Sequence, residues 1–246
     1  EKPTHPDLLN WLANELVVGG WKLKRVHKLI MMSNTYRMSS SGSEIALARD
    51  PNNDLMWRHD MRRLSAEEIR DSILNITGQL NLKMGGPSIY TEVPRDVLAT
   101  ASRPGAAWGK SSEEDRNRRS VYIFVKRSLH EPFLSAFDWA DTDNTCDVRF
   151  VTTVPTQTLT LLNSKFLNDS AESLANRLVK ATPGDARAQV TAALQLTTNR
   201  KPTAGEVDDG LELIQSLKVK TELDGNLAMQ RFCLLALNLN EFLYLD

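Results

Sequence analysis

Two cysteines, four histidines and the lack of any long apolar run remove several functions before a single element is placed. No histidine is spaced with another histidine or a cysteine as zinc ligands would be, and His-Glu-x-x-His does not occur, so no metal site of that kind is expected. Cys-x-x-Cys-His is absent too, so a haem would have to sit on a separate domain. There is no Gly-x-Ser-x-Gly, no P-loop and no dinucleotide fingerprint, which leaves the catalytic residues unknown. The densest apolar run, Phe232 to Leu237, falls far short of the roughly 20 residues that cross a bilayer, so no transmembrane segment is expected. Cys146 and Cys233 permit at most one internal disulfide, and so small a count fits a cytosolic protein and a large secreted domain equally well. The chain opens Glu1-Lys2-Pro3-Thr4, with neither Met nor the apolar core of a signal peptide, and reads as a fragment of a larger protein.

An excess of basic charge is also missing. Thirty basic residues stand against thirty-one acidic ones, for a net charge of −1, so no nucleic-acid partner is expected. At 41% hydrophobic and 25% charged, the chain is ordinary for a globular protein with a sizeable core. No internal repeat, low-complexity tract or polar linker divides it, and residues 1–246 are expected to form one domain.

Helical periodicity dominates what is present. After Pro6, Leu8, Leu9, Leu12 and Leu16 recur at helical spacing until Gly19-Gly20, and Leu23, Val26, Leu29 and Ile30 continue the pattern. This predicts a helical hairpin with Trp11 and Trp21 in its core. Ser65 and Glu68 have capping-box spacing, with Leu64 and Ile69 placed for a hydrophobic staple. That helix should run through Ile73, Ile76 and Leu80 until Gly85-Gly86-Pro87. From Gly85 to about Ser120 the chain reads as a long irregular loop. Val121 to Val125 reads as a buried strand, or as a helix continuing from Glu113. Further helices follow: one opened by Pro155, one carrying Leu167, Ala171, Leu174 and Leu178, and one carrying Ala188, Ala192 and Leu196. Another is capped by Thr203 and Glu206, and a last one covers Asn226 to Asn238. The expected fold is mainly α, a single helical domain with a long irregular central region and at most a minor β element.

The polar segment from Asp138 to Arg149 is the place for chemistry. Asp138, Asp141, Asp143 and Asp147 suggest a hard cation such as Ca²⁺, which takes about six to eight oxygens. An EF-hand template started at Asp141 fails, because Cys146 stands at the glycine position and Thr152 at the glutamate position. An irregular Ca²⁺ loop and Asx-rich turns both remain as readings. Cys146 is a weak nucleophile candidate, since Arg149 would favour its thiolate and Asp143 and Asp147 oppose it. A free buried cysteine, or a bridge to Cys233, is the other reading. Arg116, Arg118, Arg119, Lys126 and Arg127 are candidates for an anion, or else solvated flanks paired with Glu113, Glu114 and Asp115. Trp108 and Trp139, in irregular segments, are the tryptophans best placed to stack on a sugar ring.

Several stretches, in order, resemble one family. They are His5-Pro-Asp-Leu-Leu-Asn-Trp-Leu-Ala, Gly20-Trp21-Lys22-Leu23-Lys24, and Leu29-Ile30 through Ser33-Asn34-Thr35-Tyr36-Arg37. Arg62-Arg63-Leu64-Ser65-Ala66-Glu67-Glu68-Ile69-Arg70-Asp71, Gly85-Gly86-Pro87 and Arg118-Arg119-Ser120-Val121-Tyr122 follow. Then come Ala136-Phe137-Asp138, Cys146-Asp147-Val148-Arg149, Thr153 through Asn163, and Asn240-Glu241-Phe242-Leu243-Tyr244. Together they resemble the C-terminal domain of unknown function of large planctomycete proteins that often carry a cytochrome-c-like domain. Asp147-Val148 departs from the family pattern, in which a second basic residue often follows the cysteine.

The resemblance implies an extracytoplasmic, periplasmic or secreted setting within a multidomain protein, and a link to electron transfer or polysaccharide breakdown. It supplies no catalytic residues. The leading expectation is therefore a binding or structural module whose partners are the neighbouring domains and a polysaccharide, held by Trp108, Trp139, Asp138, Asp141, Asp143 and Arg149. The rivals are a carboxylate-dependent glycan hydrolase using Asp138, Asp141 and Asp143, and a docking partner for a cytochrome-c-like domain.

Overall fold

Pro6 takes the first position of helix α1 (Pro6–Val18), where its missing N–H leaves no bond unmade. Gly20, at a φ of +69°, turns the chain out of that helix and into α2 (Leu23–Met31). The computed structural model describes residues 2–100, 108–142 and 145–245. It divides into two units, Glu1–Arg62 with Leu245–Asp246, and Arg63–Tyr244.

The first unit holds α1, α2 and α3 (Glu44–Arg49), the last capped by the Ser43 hydroxyl on the Ala46 amide. A turn after α3 is built on Asp50, whose carboxylate accepts the amides of Asp54 and Leu55 at 3.0 and 2.8 Å. The Trp57 indole donates to the Asp50 carbonyl, and His5 bonds the Asp54 carbonyl at 2.8 Å. The expected hairpin is there, but its tryptophans are not core residues. Trp11 is 49% exposed and Trp21 71% exposed, and neither helix buries a single residue. Two short helices share only one seam, and neither is long enough to cover the apolar surface of the other.

Strand β1 (Arg62–Arg63) pairs with β2 (Tyr244–Leu245). Helix α4 (Ala66–Thr77) starts on the expected capping box: Ser65 accepts the Glu68 amide and Glu68 accepts the Ser65 amide. It ends earlier than expected, at Gly78, whose φ of +77° lets its own amide and that of Gln79 turn back onto Asn75 and Leu74. Ser65→Ala should cost about 1 kcal/mol in urea unfolding, and an unchanged midpoint would contradict the capping role.

Short helices α5 (Arg95–Ala99), α6 (Glu113–Arg116) and α7 (Pro132–Ala136) interrupt the irregular centre. The expected strand over Val121–Val125 does not form. Ser120–Tyr122 is a single 3₁₀ turn, Val121 and Val125 face solvent, and only Ile123 of the three enters the core. The turn is imposed by Asp71, whose carboxylate accepts both the amide and the hydroxyl of Ser120 at 2.7 Å. It is also imposed by Arg118, which is not a solvated flank. Arg118 is 1% exposed, donates to the carbonyls of Lys83, Gly85 and Pro87, and lies 3.9 Å from the centre of the Tyr122 ring.

The remaining helices are α8 (Pro155–Asn163), α9 (Lys165–Ala181), α10 (Ala186–Thr198), α11 (Ala204–Lys220), α12 (Gly225–Ala236) and α13 (Asn240–Leu243). Leu167, Ala171, Leu174 and Leu178 make α9 the central helix, packed against α4, α8, α10 and α12. On α10 the fully buried residues are Gln189, Val190, Ala193, Leu194 and Thr197, and Ala192 and Leu196 of the expected line pack against the core half-buried beside them. Gln189 finds the Thr182 carbonyl at 2.6 Å. No helix among the described residues is long and apolar enough to cross a membrane.

Candidate ligand-binding cavity

Ile89 fixes the wall of a cavity in the second unit. Its amide donates to the Tyr122 carbonyl and its carbonyl accepts from the Phe124 amide, both at 2.8 Å. This bridge holds Tyr90 and Thr91 in place. The Tyr90 amide donates to the Ser111 hydroxyl at 2.9 Å, and the Trp108 indole donates to the Thr91 carbonyl at 2.9 Å. Tyr90 then meets Trp108 edge-on, with ring centres 5.6 Å apart. Gly109 permits that approach, since a Cβ there would stand 2.6 Å from the Tyr90 ring. Phe133 and Phe166, edge-on at 5.4 Å, also line the cavity. The cavity is open to solvent along one side and has a volume of about 940 Å³.

Charged groups complete it. Arg70, 4% exposed, donates to the carbonyls of Arg118 and Arg116 and to the Ser120 hydroxyl, and its guanidinium lies 5.6 Å from the Phe166 ring centre. Glu131 caps α7, accepting the Leu134 amide at 2.7 Å, and also accepts the Thr91 hydroxyl at 3.4 Å. Burial pushes the Glu131 carboxyl above its ordinary range, against the opposing pull of the Leu134 amide and Arg70. Burial likewise lowers Arg70, against Glu131 and Asp71, though a guanidinium stays protonated. Along the rim, Glu92 pairs with Arg116 and with Lys165, which also pairs with Asp169.

A raised carboxyl has a definite consequence for stability. The folded chain holds the Glu131 proton more tightly than the unfolded one does, so stability should fall as pH rises from about 4.5 through the folded value. Glu131→Gln should flatten that slope in urea titrations run across the mildly acidic range. An identical slope in both proteins would contradict the assignment.

Among known proteins, the family profile described as PSD1, protein of unknown function (DUF1553), matches residues 1–214. The chain belongs to this family. No curated protein and no solved structure matches it. PSD1 membership agrees with the resemblance read from the collinear motifs, and it carries no assigned activity.

The residues singled out in the PSD1 sequence fall in different places. Trp108 lines the cavity. Asp138 does not; at a φ of +61° it accepts from Arg63 at 2.6 Å, from the Thr152 amide and hydroxyl at 2.9 and 2.8 Å, and from Gln157 at 3.3 Å. Desolvation works against its ionisation, but the two Thr152 bonds and Arg63 outweigh this and hold its pKa low. Arg149 clasps Glu67 at 2.7 and 2.9 Å. The Glu67 carboxyl is likewise held low: burial opposes this, and Arg149 and the Trp139 side chain overcome it. Trp139 packs against the core and meets His130 edge-on at 5.8 Å. Asp141 is exposed, and Asp143 lies outside the described residues.

The cysteine bridge is not formed. Cys146 is exposed and Cys233 buried, with burial pushing the Cys233 thiol up to about 12. Among the described residues no three His, Cys, Asp or Glu side chains gather to hold a metal. Arg70, Tyr90, Glu131, Phe133 and Phe166 were not singled out by sequence. The available signals were Glu131 ahead of Pro132, a helix-start pattern, and Gly109 beside Trp108.

Proposed function

We propose that this chain is a glycan-binding module of a larger extracytoplasmic protein, and that the glycan enters the Trp108 cavity. The observation that carries the reading is the meeting of Tyr90, Trp108, Phe133 and Phe166 with Arg70 and Glu131 around one space of about 940 Å³. That volume lies within the range of ligand pockets, roughly 300–1,000 Å³. A sugar ring offers apolar C–H faces, which suit the walls of Tyr90, Trp108, Phe133 and Phe166, and hydroxyls, which suit the charged rim of Glu92, Arg116, Lys165 and Asp169. The extracytoplasmic setting and the polysaccharide link come from the family resemblance. Hydrolysis forms no part of the proposal, because Asp138 commits both carboxylate oxygens to Arg63, Thr152 and Gln157.

Calorimetric titration with neutral, uronate-bearing and sulfated oligosaccharides tests it. At least one class should bind, and Trp108→Ala should weaken that binding by about tenfold while circular dichroism stays unchanged. A panel without a binder, or a variant that binds as tightly as the parent, would remove the proposal.

A further inference from the structure

From Leu16 to Ser43 the chain carries Lys22, Lys24, Arg25, Lys28 and Arg37 and not one Asp or Glu, although the whole chain has a net charge of −1. The same stretch is where apolar side chains stand open. Val18 and Trp21 are each 71% exposed, and Leu23, Met31 and Met32 are exposed with them. Trp21 sits at the tip between α1 and α2, with a φ of +60°. On α2, Leu23, Val26, Leu29 and Ile30 fall on one side at helical spacing and Lys24, Arg25 and Lys28 on the other. Of these bases only Arg25 is drawn into a salt bridge among the described residues, with Glu15 at 2.6 Å.

We propose that this hairpin seats the protein on an anionic lipid surface. Trp21, Leu23 and the apolar side of α2 enter the boundary between headgroups and acyl chains, while Lys22, Lys24 and Lys28 meet the lipid phosphates. The match is one of charge and shape together. A basic polar side, an open apolar side and a tryptophan at the tip suit a helix lying in the interface plane, and α2, at nine residues, is too short to do anything but lie there. The absence of acidic residues over the whole stretch removes the repulsion that anionic lipid would otherwise exert. This proposal is independent of the glycan cavity, since all its residues belong to the first unit.

Co-sedimentation of the full chain with vesicles decides it. The chain should pellet with mixed phosphatidylcholine–phosphatidylglycerol vesicles at low salt, be released as salt rises, and stay in solution with phosphatidylcholine alone. Joint Lys22→Glu, Lys24→Glu and Lys28→Glu substitution should lower partitioning on the order of a hundredfold with unchanged circular dichroism. Trp21→Ser should weaken binding and keep its salt dependence. Failure to pellet with the mixed vesicles, or equal binding to both kinds, overturns the idea. So does a dimer in sedimentation velocity that Trp21→Ser dissolves, because a second copy would then cover the face.

Discussion

Replacing Arg118 by alanine is expected to lower the unfolding free energy by about 3 kcal/mol and the melting temperature by about 6–12 °C. The side chain is almost wholly buried, and no carboxylate among the described residues forms a salt bridge with it. Its charge is met instead by the carbonyls of Lys83, Gly85 and Pro87 and by the face of Tyr122. Deleting it removes the guanidinium that ties the carbonyls of Lys83, Gly85 and Pro87 to the chain entering the Ser120–Tyr122 turn. It also leaves a void beside Tyr122, whose hydroxyl accepts the Gly85 amide. Lysine should recover little, because a single ammonium cannot reproduce a planar fork spread over three carbonyls. A melting curve for Arg118→Ala that overlays the parent would show that the buried guanidinium holds nothing in place.

A comparable loss, about 3–5 kcal/mol, is expected for Phe232→Ala on α12. Phe232 is 1% exposed, and its ring fills the space left by the missing side chain of Gly210 on α11. A Cβ at position 210 would stand 2.9 Å from that ring and 2.8 Å from Val190, so Gly210→Ala overpacks the same place from the other side. The two changes should therefore be non-additive. Gly210→Ala should be destabilising in the parent and less so in the Phe232→Ala background, where only the contact with Val190 remains. Equal effects in both backgrounds, measured by urea unfolding, would mean that the two residues do not share a space.

How far the sequence could be read follows from the range of the interactions involved. The capping box at Ser65 and Glu68 and that at Thr203 and Glu206 were legible because each lies within four residues. Pro6 and Pro155 were legible as helix starts for the same reason. Arg118 was not, since it looks like a surface base in a basic cluster until residues 83–87 fold against it. The Val121–Val125 run misled because β-branched content reports a preference, and Asp71, some fifty positions away, imposes a turn there instead. Trp11 and Trp21 misled in a different way: helical spacing found α1 and α2, but it does not say whether a face finds a partner, and Trp21 falls in the turn between them. The cavity was the least legible feature. Its aromatics come from positions 90, 108, 133 and 166, on four separate segments, and only Trp108 carried a local hint. Asp138 illustrates the converse, a carboxylate that suggested chemistry by its company in sequence and proves to be an anchor for Arg63 and Thr152.

Nitrogen–proton spectra of the tryptophan indoles, recorded while oligosaccharide is added, test the binding reading at the residue itself. The chain has five tryptophans, at positions 11, 21, 57, 108 and 139, so each side chain reports separately. The account expects the Trp108 signal to move in a saturable way while those of Trp57 and Trp139 stay still. A ligand that shifts the others and leaves Trp108 unmoved would contradict it.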